Sequence, residues 1–370
     1  MEQRYDTIKR LTYWLLFLIL LVYVLVEARD FLYPLVMSLL FAYLLYPVVK
    51  RLEKWGVPRI LANLITIVTA VAIAAGLLTL LYKQLSIFIT DFPDLKEKAL
   101  RNIDELQAVI DQRFGDENQK NERWLRLQVS SLFDQSGSLI TDVLLATTNT
   151  LVKFGLMPVY IFLMLYYRNK FESFILRVTS PQSHLKVKRL IDEVSLVTKR
   201  YMSGVVMVVL ILCVINSAGL LIIGVEYAVL LGIVSAFINF IPYFGTLIGG
   251  AVPFLYTLVV QGDPQKTLAV LLFFLVVQFT ENNILTPNIT GSKVNINPMF
   301  TILSIIVGGM VWGLPGMFVS VPLLGMFKIY CENETSLSAY SYLLGTNGTE
   351  EHALTLDKLL RFVGIRKKAT

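Results

Sequence analysis

Charge is scarce in this 370-residue chain: Asp, Glu, Lys and Arg together make up 16% of it, where a soluble domain carries about 25%. Cysteine is nearly absent. Cys213 lies in an apolar run and Cys331 just after another, so neither a disulfide framework nor a cysteine metal site is available. Histidine is limited to His184 and His352, far apart and in polar segments, which reads as two solvated rings. No G-x-x-x-x-G-K-S/T phosphate loop occurs, which argues against ATP-driven pumping by this chain alone. Neither H-E-x-x-H nor G-x-S-x-G is present, which argues against a zinc protease or a serine hydrolase of those types. The expectation is a protein that is not an enzyme and needs no cofactor or metal.

What the chain has instead is apolar length. Hydrophobic residues make up 55% and the mean hydropathy is +0.64. The six excess positive charges sit mainly in short connections between apolar runs. That is the distribution of positive charge held on the cytoplasmic side of a membrane, and it does not point to nucleic acid. The class is therefore an all-α, polytopic membrane protein whose partner is the lipid bilayer.

Residues 11–26 form a first apolar run, residues 31–49 a second, with 27–30 as a tight turn between them. The run 60–82 is a full span of the roughly 20 residues that a bilayer requires. Charges then become frequent in 83–137, yet Leu95, Ala99, Ile103, Leu106 and Ile110 recur at helical spacing, which predicts an amphipathic helical excursion outside the membrane. The chain re-enters near 139 and leaves near 167. Segment 168–200 holds eight basic residues against three acids, with Leu190, Val194 and Val197 at helical spacing, as in a helix lying on the cytoplasmic interface. A further span covers 201–225. The basic loops 50–59 and 168–200 are separated by two spans, so both are placed in the cytoplasm, together with both termini. The division is 1–82 for three N-terminal spans, 83–138 for a periplasmic helical insertion, 139–331 for a C-terminal transport core and 332–370 for a basic cytoplasmic tail. About eight hydrophobic elements are expected, with an even number of crossings.

Two late regions are too interrupted to be plain spans. One runs from Asn239 through Pro242, Tyr243, Gly245, Gly249 and Gly250 to Pro253; the other from Gly308 and Gly309 through Gly313, Pro315 and Gly316 to Pro322. Non-helical backbone survives at membrane depth only where protein or water covers it, and paired Gly/Pro-interrupted segments mark transport sites in multi-span proteins. The Gly245/Gly249 and Gly309/Gly313 spacings are equally those of close helix packing. Broken or re-entrant helices are predicted at both, with Gly308, Gly309, Gly313, Gly316 and Pro322 as hinge or packing positions.

Between them lies a polar belt: Gln278, Glu281, Asn282, Asn283, Pro287, Asn288, Asn295 and Asn297. A carboxylate in hydrocarbon persists only with a partner, water or a task. Gln278 and Glu281 are about one helical turn apart and can share a face. Glu281 reads as an interfacial carboxylate capping a loop, a cation- or proton-coupled group lining a cavity, or an oligomer contact. The asparagines can bind a hydroxylated solute or satisfy broken backbone. Lys153, flanked by apolar residues, is the other buried-looking charge, with neutralisation, pairing and snorkelling all open to it.

Together, Asn239-Phe240-Ile241-Pro242-Tyr243-Phe244-Gly245, Glu281-Asn282-Asn283-Ile284-Leu285-Thr286-Pro287, Gly291, Pro298 and the run from Gly308 through Trp312-Gly313-Leu314-Pro315-Gly316 to Pro322 resemble the AI-2E family of bacterial membrane proteins. The resemblance covers nearly the whole chain and is strongest over 201–330. It implies an inner-membrane permease that assembles into homo-oligomers, with a periplasmic insertion after the third span. Members are assigned either export of autoinducer-2 or sodium(lithium)/proton antiport, so the expected partners are a small polar solute and H+ or Na+. Thr246 stands where the family often has proline, and Asn297 where histidine is common, which puts a proton-handling role for that position in doubt.

Overall fold

The computed structural model describes residues 2–114, 126–131, 133–135, 137, 155–239, 245–290 and 296–346. In a bilayer core every backbone N–H and C=O must be paired within its own segment, and the apolar runs are accordingly helical. Among the described residues six helices are long and apolar enough to cross a membrane: α1 (Glu2–Glu27), α2 (Arg29–Lys54), α3 (Arg59–Thr90), α7 (His184–Ile223), α10 (Pro264–Thr280) and α13 (Leu314–Asn333). Shorter apolar helices complete the membrane part: α5 (Met157–Tyr166), α8 (Ala228–Ile238), α9 (Gly245–Leu255, extended by a π-turn over Tyr256–Gln261) and α12 (Pro298–Trp312). Amphipathic or short pieces fill the connections: α4 (Phe92–Phe114), α6 (Arg168–Val178), α11 (Thr286–Thr290) and α14 (Ser338–Leu344). The chain is an all-α, polytopic membrane protein, and no strand occurs among the described residues.

Three boundaries differ from the sequence reading. Ala28 alone separates α1 from α2, a tighter turn than 27–30. Helix α3 continues past Tyr82 to Thr90, because nothing in Lys83-Gln84-Leu85 breaks a helix. The expected interfacial helix around Leu190, Val194 and Val197 is instead the first half of α7. No proline interrupts it, and its 40 residues extend roughly 60 Å, about twice a bilayer core. The interfacial character falls to α6, which exposes Phe171, Phe174, Ile175 and Val178 at helical spacing beside Arg168, Lys170 and Arg177.

The interrupted region after α8 is a re-entrant hairpin. Helix α8 packs on α7 where a Cβ at Gly232 would fall 2.5 Å from the Ser217 nitrogen. Helix α9 packs back on α8 where a Cβ at Gly249 would fall 2.7 Å from the Ser235 carbonyl oxygen. Only glycine permits either approach. The 11 residues of α8 rise roughly 16 Å, about half of a bilayer core. The chain then turns back, and at the end of the return Gln261 Nε2 reaches the Gly224 carbonyl at 3.4 Å, beside the residue that ended α7. Both ends of the hairpin therefore lie on one membrane side.

Helix α4 covers that side. Its Leu95 and Ala99 enter a cluster with Leu220, Val225, Ala228, Leu231, Tyr256 and Val260, and Ile103 is buried on the same face. Tyr227, in the left-handed region at φ 54°, donates its hydroxyl to Asp91. Burial first, then the hydrogen bond and charge of Asp91, push this phenol above its ordinary range, so it stays a donor at any physiological pH. Asn102 Nδ2 donates to the Val259 and Val260 carbonyls at 3.1 and 2.7 Å, within the π-turn where regular helix bonding is interrupted. Replacing Asn102 by alanine is expected to cost about 1–2 kcal/mol. Hydrogen exchange should show it as faster exchange over 92–105 and 256–261, with α2 and α3 unchanged.

The second interruption is a sharp helical hairpin rather than a second re-entrant loop. Gly313 turns the chain at φ 65°, ψ −143°, and the backbones of α12 and α13 touch where Gly308 and Gly316 face each other. Helix α13 runs unbroken through Pro322, so the break falls at Gly313 alone. Trp312 Nε1 donates to the Leu25 carbonyl at 2.9 Å, tying this turn to the end of α1.

Candidate functional site

The site grows from the end of α10. Asp263 caps its start, accepting from Gln265 N and Lys266 N at 3.0 and 3.1 Å, and Pro264 occupies the first turn, where its missing N–H costs nothing. At the other end Pro287 offers no N–H to the Asn283 carbonyl. The chain widens there into a π-turn over Glu281–Leu285, a local geometry frequent at functional sites.

That π-turn seats Glu281 inward, 7% exposed. Its Oε1 accepts from Asn239 Nδ2 at 2.7 Å. Asn239 is the residue that ends α8, and a Cβ on Gly245, at the start of α9, would lie 2.6 Å from Asn239 Oδ1. The negative end of one half-helix and the positive end of the next thus meet at this asparagine. Glu281 Oε2 is buried without a hydrogen-bond partner among the described residues.

A small cavity adjoins the carboxyl. Its polar lining is Asn216, Ser235, Asn239, Gln278 and Glu281, and its apolar wall is Leu212, Phe274 and Val277. Asn216 and Ser235 are 3% and 4% exposed, and Asn216 Nδ2 reaches Ser235 Oγ at 3.4 Å. Asn216 Oδ1 is a second buried oxygen without a partner among the described residues. The space open to the centre of a water molecule is ≈ 10 Å³, the threshold for one water and far below the roughly 300 Å³ of a small-molecule pocket. In this conformation the cavity takes a water or a bare monovalent cation, and nothing larger.

Of the residues singled out in the sequence, Asn239, Gln278 and Glu281 come together here. Gly245 and Gly249 serve the close approach of α8 and α9 rather than lining the cavity. Asn282 and Asn283 are exposed, and Asn283 Nδ2 donates to the Phe279 carbonyl of its own helix at 2.8 Å. Pro287 sits in α11 and acts through the π-turn before it. Gly308, Gly309, Gly313, Gly316 and Pro322 belong to the α12–α13 hairpin, and Asn297 caps α12, accepting from Met299 N at 3.0 Å. Pro242, Tyr243, Asn295 and Lys153 lie outside the described residues. Asn216 and Ser235 escaped the sequence reading, although a lone asparagine inside the apolar run 205–223 is a signal of its own. Lys328, 8% exposed and paired with Glu332 at 2.6 Å, is a second charge that went unmarked.

A multi-pass helical protein in which two short helices end beside a buried carboxyl has the architecture of a membrane transporter. The chain matches the AI-2E family transporter over residues 15–335, and it belongs to that family. It is 27% identical over 320 residues to YhhT of Escherichia coli (strain K12), described as a candidate transport protein, covering 86% of this chain and 89% of the relative. It is 27% identical over 308 residues to YrrI of Bacillus subtilis (strain 168), described likewise, covering 80% and 84%. A third relative is the AI-2 transport protein TqsA of Escherichia coli (strain K12), 26% identical over 325 residues and covering 86% and 90%.

Proposed function

We propose that this protein is an ion-coupled secondary transporter that exports a small polar, autoinducer-2-like solute across the bacterial inner membrane. Both termini face the cytoplasm, α4 faces the periplasm, and the working form is a homo-oligomer. One observation carries the coupling: Glu281 is buried where the hairpin of α8 and α9 meets a π-turn, with one oxygen held by Asn239 and the other unpartnered among the described residues. A proton or a cation completes such a carboxyl. The cavity is too small for the solute, so solute passage requires the facing ends of α8 and α9 to withdraw from α7 and α10, and the ion then reports which position those ends hold. The name of the relative TqsA supports the solute class.

Proteoliposome counterflow with labelled autoinducer-2 tests this reading. Flux is expected to follow an imposed proton or sodium gradient and to fall when that gradient is collapsed. Flux indifferent to both gradients would remove the ion from the mechanism.

A second reading is sodium(lithium)/proton antiport, favoured by one further observation. Glu281 Oε2 and Asn216 Oδ1 are two buried oxygens without partners among the described residues, and both residues line the same cavity, a donor set suited to a hard monovalent cation. Adding sodium or lithium to vesicles carrying a pH gradient should then dissipate it without any solute. No response to either ion at any pH tested would dismiss antiport.

A further inference from the structure

Three cations from three helices converge on one aromatic ring at the membrane end opposite α4. Lys199 Nζ lies 4.7 Å, Arg168 Cζ 5.1 Å and Lys50 Nζ 5.9 Å from the centroid of Tyr46. Tyr46 and Lys50 stand one turn apart on α2, Arg168 opens α6, and Lys199 lies on α7 just before its apolar half. Lys50 follows the apolar stretch of α2, Lys199 precedes that of α7 and Arg168 follows the apolar helix α5, which sets all three at the level of lipid headgroups.

The charges around the ring do not balance. Glu53 pairs with Arg168 at 2.6 Å and with Arg59 at 3.4 Å, so its single charge is shared by two guanidinium groups. Lys50 and Lys199 make no ion pair within 4.0 Å among the described residues, Asp192 acting on Lys199 only from farther away, and Arg168 Nη1 is buried without a hydrogen-bond partner among them. A ring quadrupole attracts one cation by a modest amount; it does not offset the mutual repulsion of three. The arrangement is that of a receptor awaiting an anion, with an aromatic floor and cations from three helices.

We infer that Tyr46, Lys50, Arg168 and Lys199 form a binding site for the phosphate of an anionic phospholipid headgroup, bridging α2, α6 and α7. A phosphate presented by a lipid arrives with its acyl chains already beside the apolar halves of α2 and α7, whereas a soluble phosphate brings no such contact. Basic pockets between transmembrane helices take anionic headgroups in this way. The same anion would join the amphipathic helix α6 to the long α7.

Native mass spectrometry of the full chain, released from micelles carrying equal amounts of phosphatidylglycerol and phosphatidylcholine, tests the site. Wild-type protein is expected to retain phosphatidylglycerol preferentially, and Lys50→Gln/Lys199→Gln to reduce that retention about tenfold. Neither lysine carries an ion pair of the fold, so the double variant should fold. Arg51→Gln/Lys54→Gln removes the same number of charges from the same end of α2 and should leave retention unchanged. Equal retention of the two lipids, or equal losses in the two double variants, would overturn the site. Displacement of phosphatidylglycerol by millimolar inorganic phosphate would reassign it to a soluble anion and overturn the lipid assignment.

Discussion

Glu281→Gln is expected to reduce gradient-driven flux in proteoliposomes to the level of empty liposomes, while yield and melting temperature stay at or above wild type. Glutamine keeps the shape of the side chain and an oxygen for Asn239 to donate to, so the end of α8 keeps its anchor. What it loses is the ability to exchange a proton or to hold a cation. A buried carboxylate also carries a desolvation penalty that a neutral amide avoids, which is why stability should not fall. Asn239→Ala has the opposite signature. It strips the carboxyl of its one hydrogen bond among the described residues and is expected to cost about 2 kcal/mol, seen as a lower melting temperature. Wild-type flux in Glu281→Gln would take this carboxyl out of the transport cycle.

The second large effect is structural. Gly316→Ala should cost about 2 kcal/mol or more and markedly lower the monodisperse fraction in fluorescence-detected size-exclusion chromatography. The methyl group would enter the space of the Gly308 carbonyl across the α12–α13 crossing. That neighbour is backbone and cannot rotate away, so the two helices must separate. Gly309→Ala, one residue from the crossing, meets the flexible end of Met317 instead and should be nearly neutral. Gly76→Ala, with nothing within 4 Å of the added methyl, should be neutral or slightly stabilising, since glycine is the poorer helix former. If Gly316→Ala behaved like Gly309→Ala, the close crossing would not be what holds this hairpin.

The sequence disclosed what repeats and concealed what meets. Leu95, Ala99 and Ile103 announced the buried face of α4 by spacing alone, and the apolar runs announced the long helices because a bilayer allows the backbone little else. Gln278 and Glu281 were legible as sharing a face, since one helical turn separates them. Asn239 and Glu281 are 42 residues apart, and no local pattern says that their side chains touch. The π-turn was also hidden: Pro287 signalled a break, but widening the preceding turn and ending the helix look alike in sequence. Which way Asn282 and Asn283 face was hidden for the same reason, because their direction depends on how the turn before Pro287 is wound. Gly245, Gly249, Gly308 and Gly316 fit both close packing and a hinge, and only the backbone across from each glycine distinguishes the two.

The attachment of α4 has a practical consequence. Asn102 grips the outer rung of the re-entrant hairpin at the Val259 and Val260 carbonyls, and the inner end of the same hairpin holds the carboxyl of Glu281. The hairpin is thus a lever held by α4 at one end and by Glu281 at the other. A nanobody raised against α4 would act on the far arm without entering the bilayer, arresting the lever in one position. Such a reagent would be both an inhibitor in vesicles that expose α4 and a means of trapping a single state for imaging.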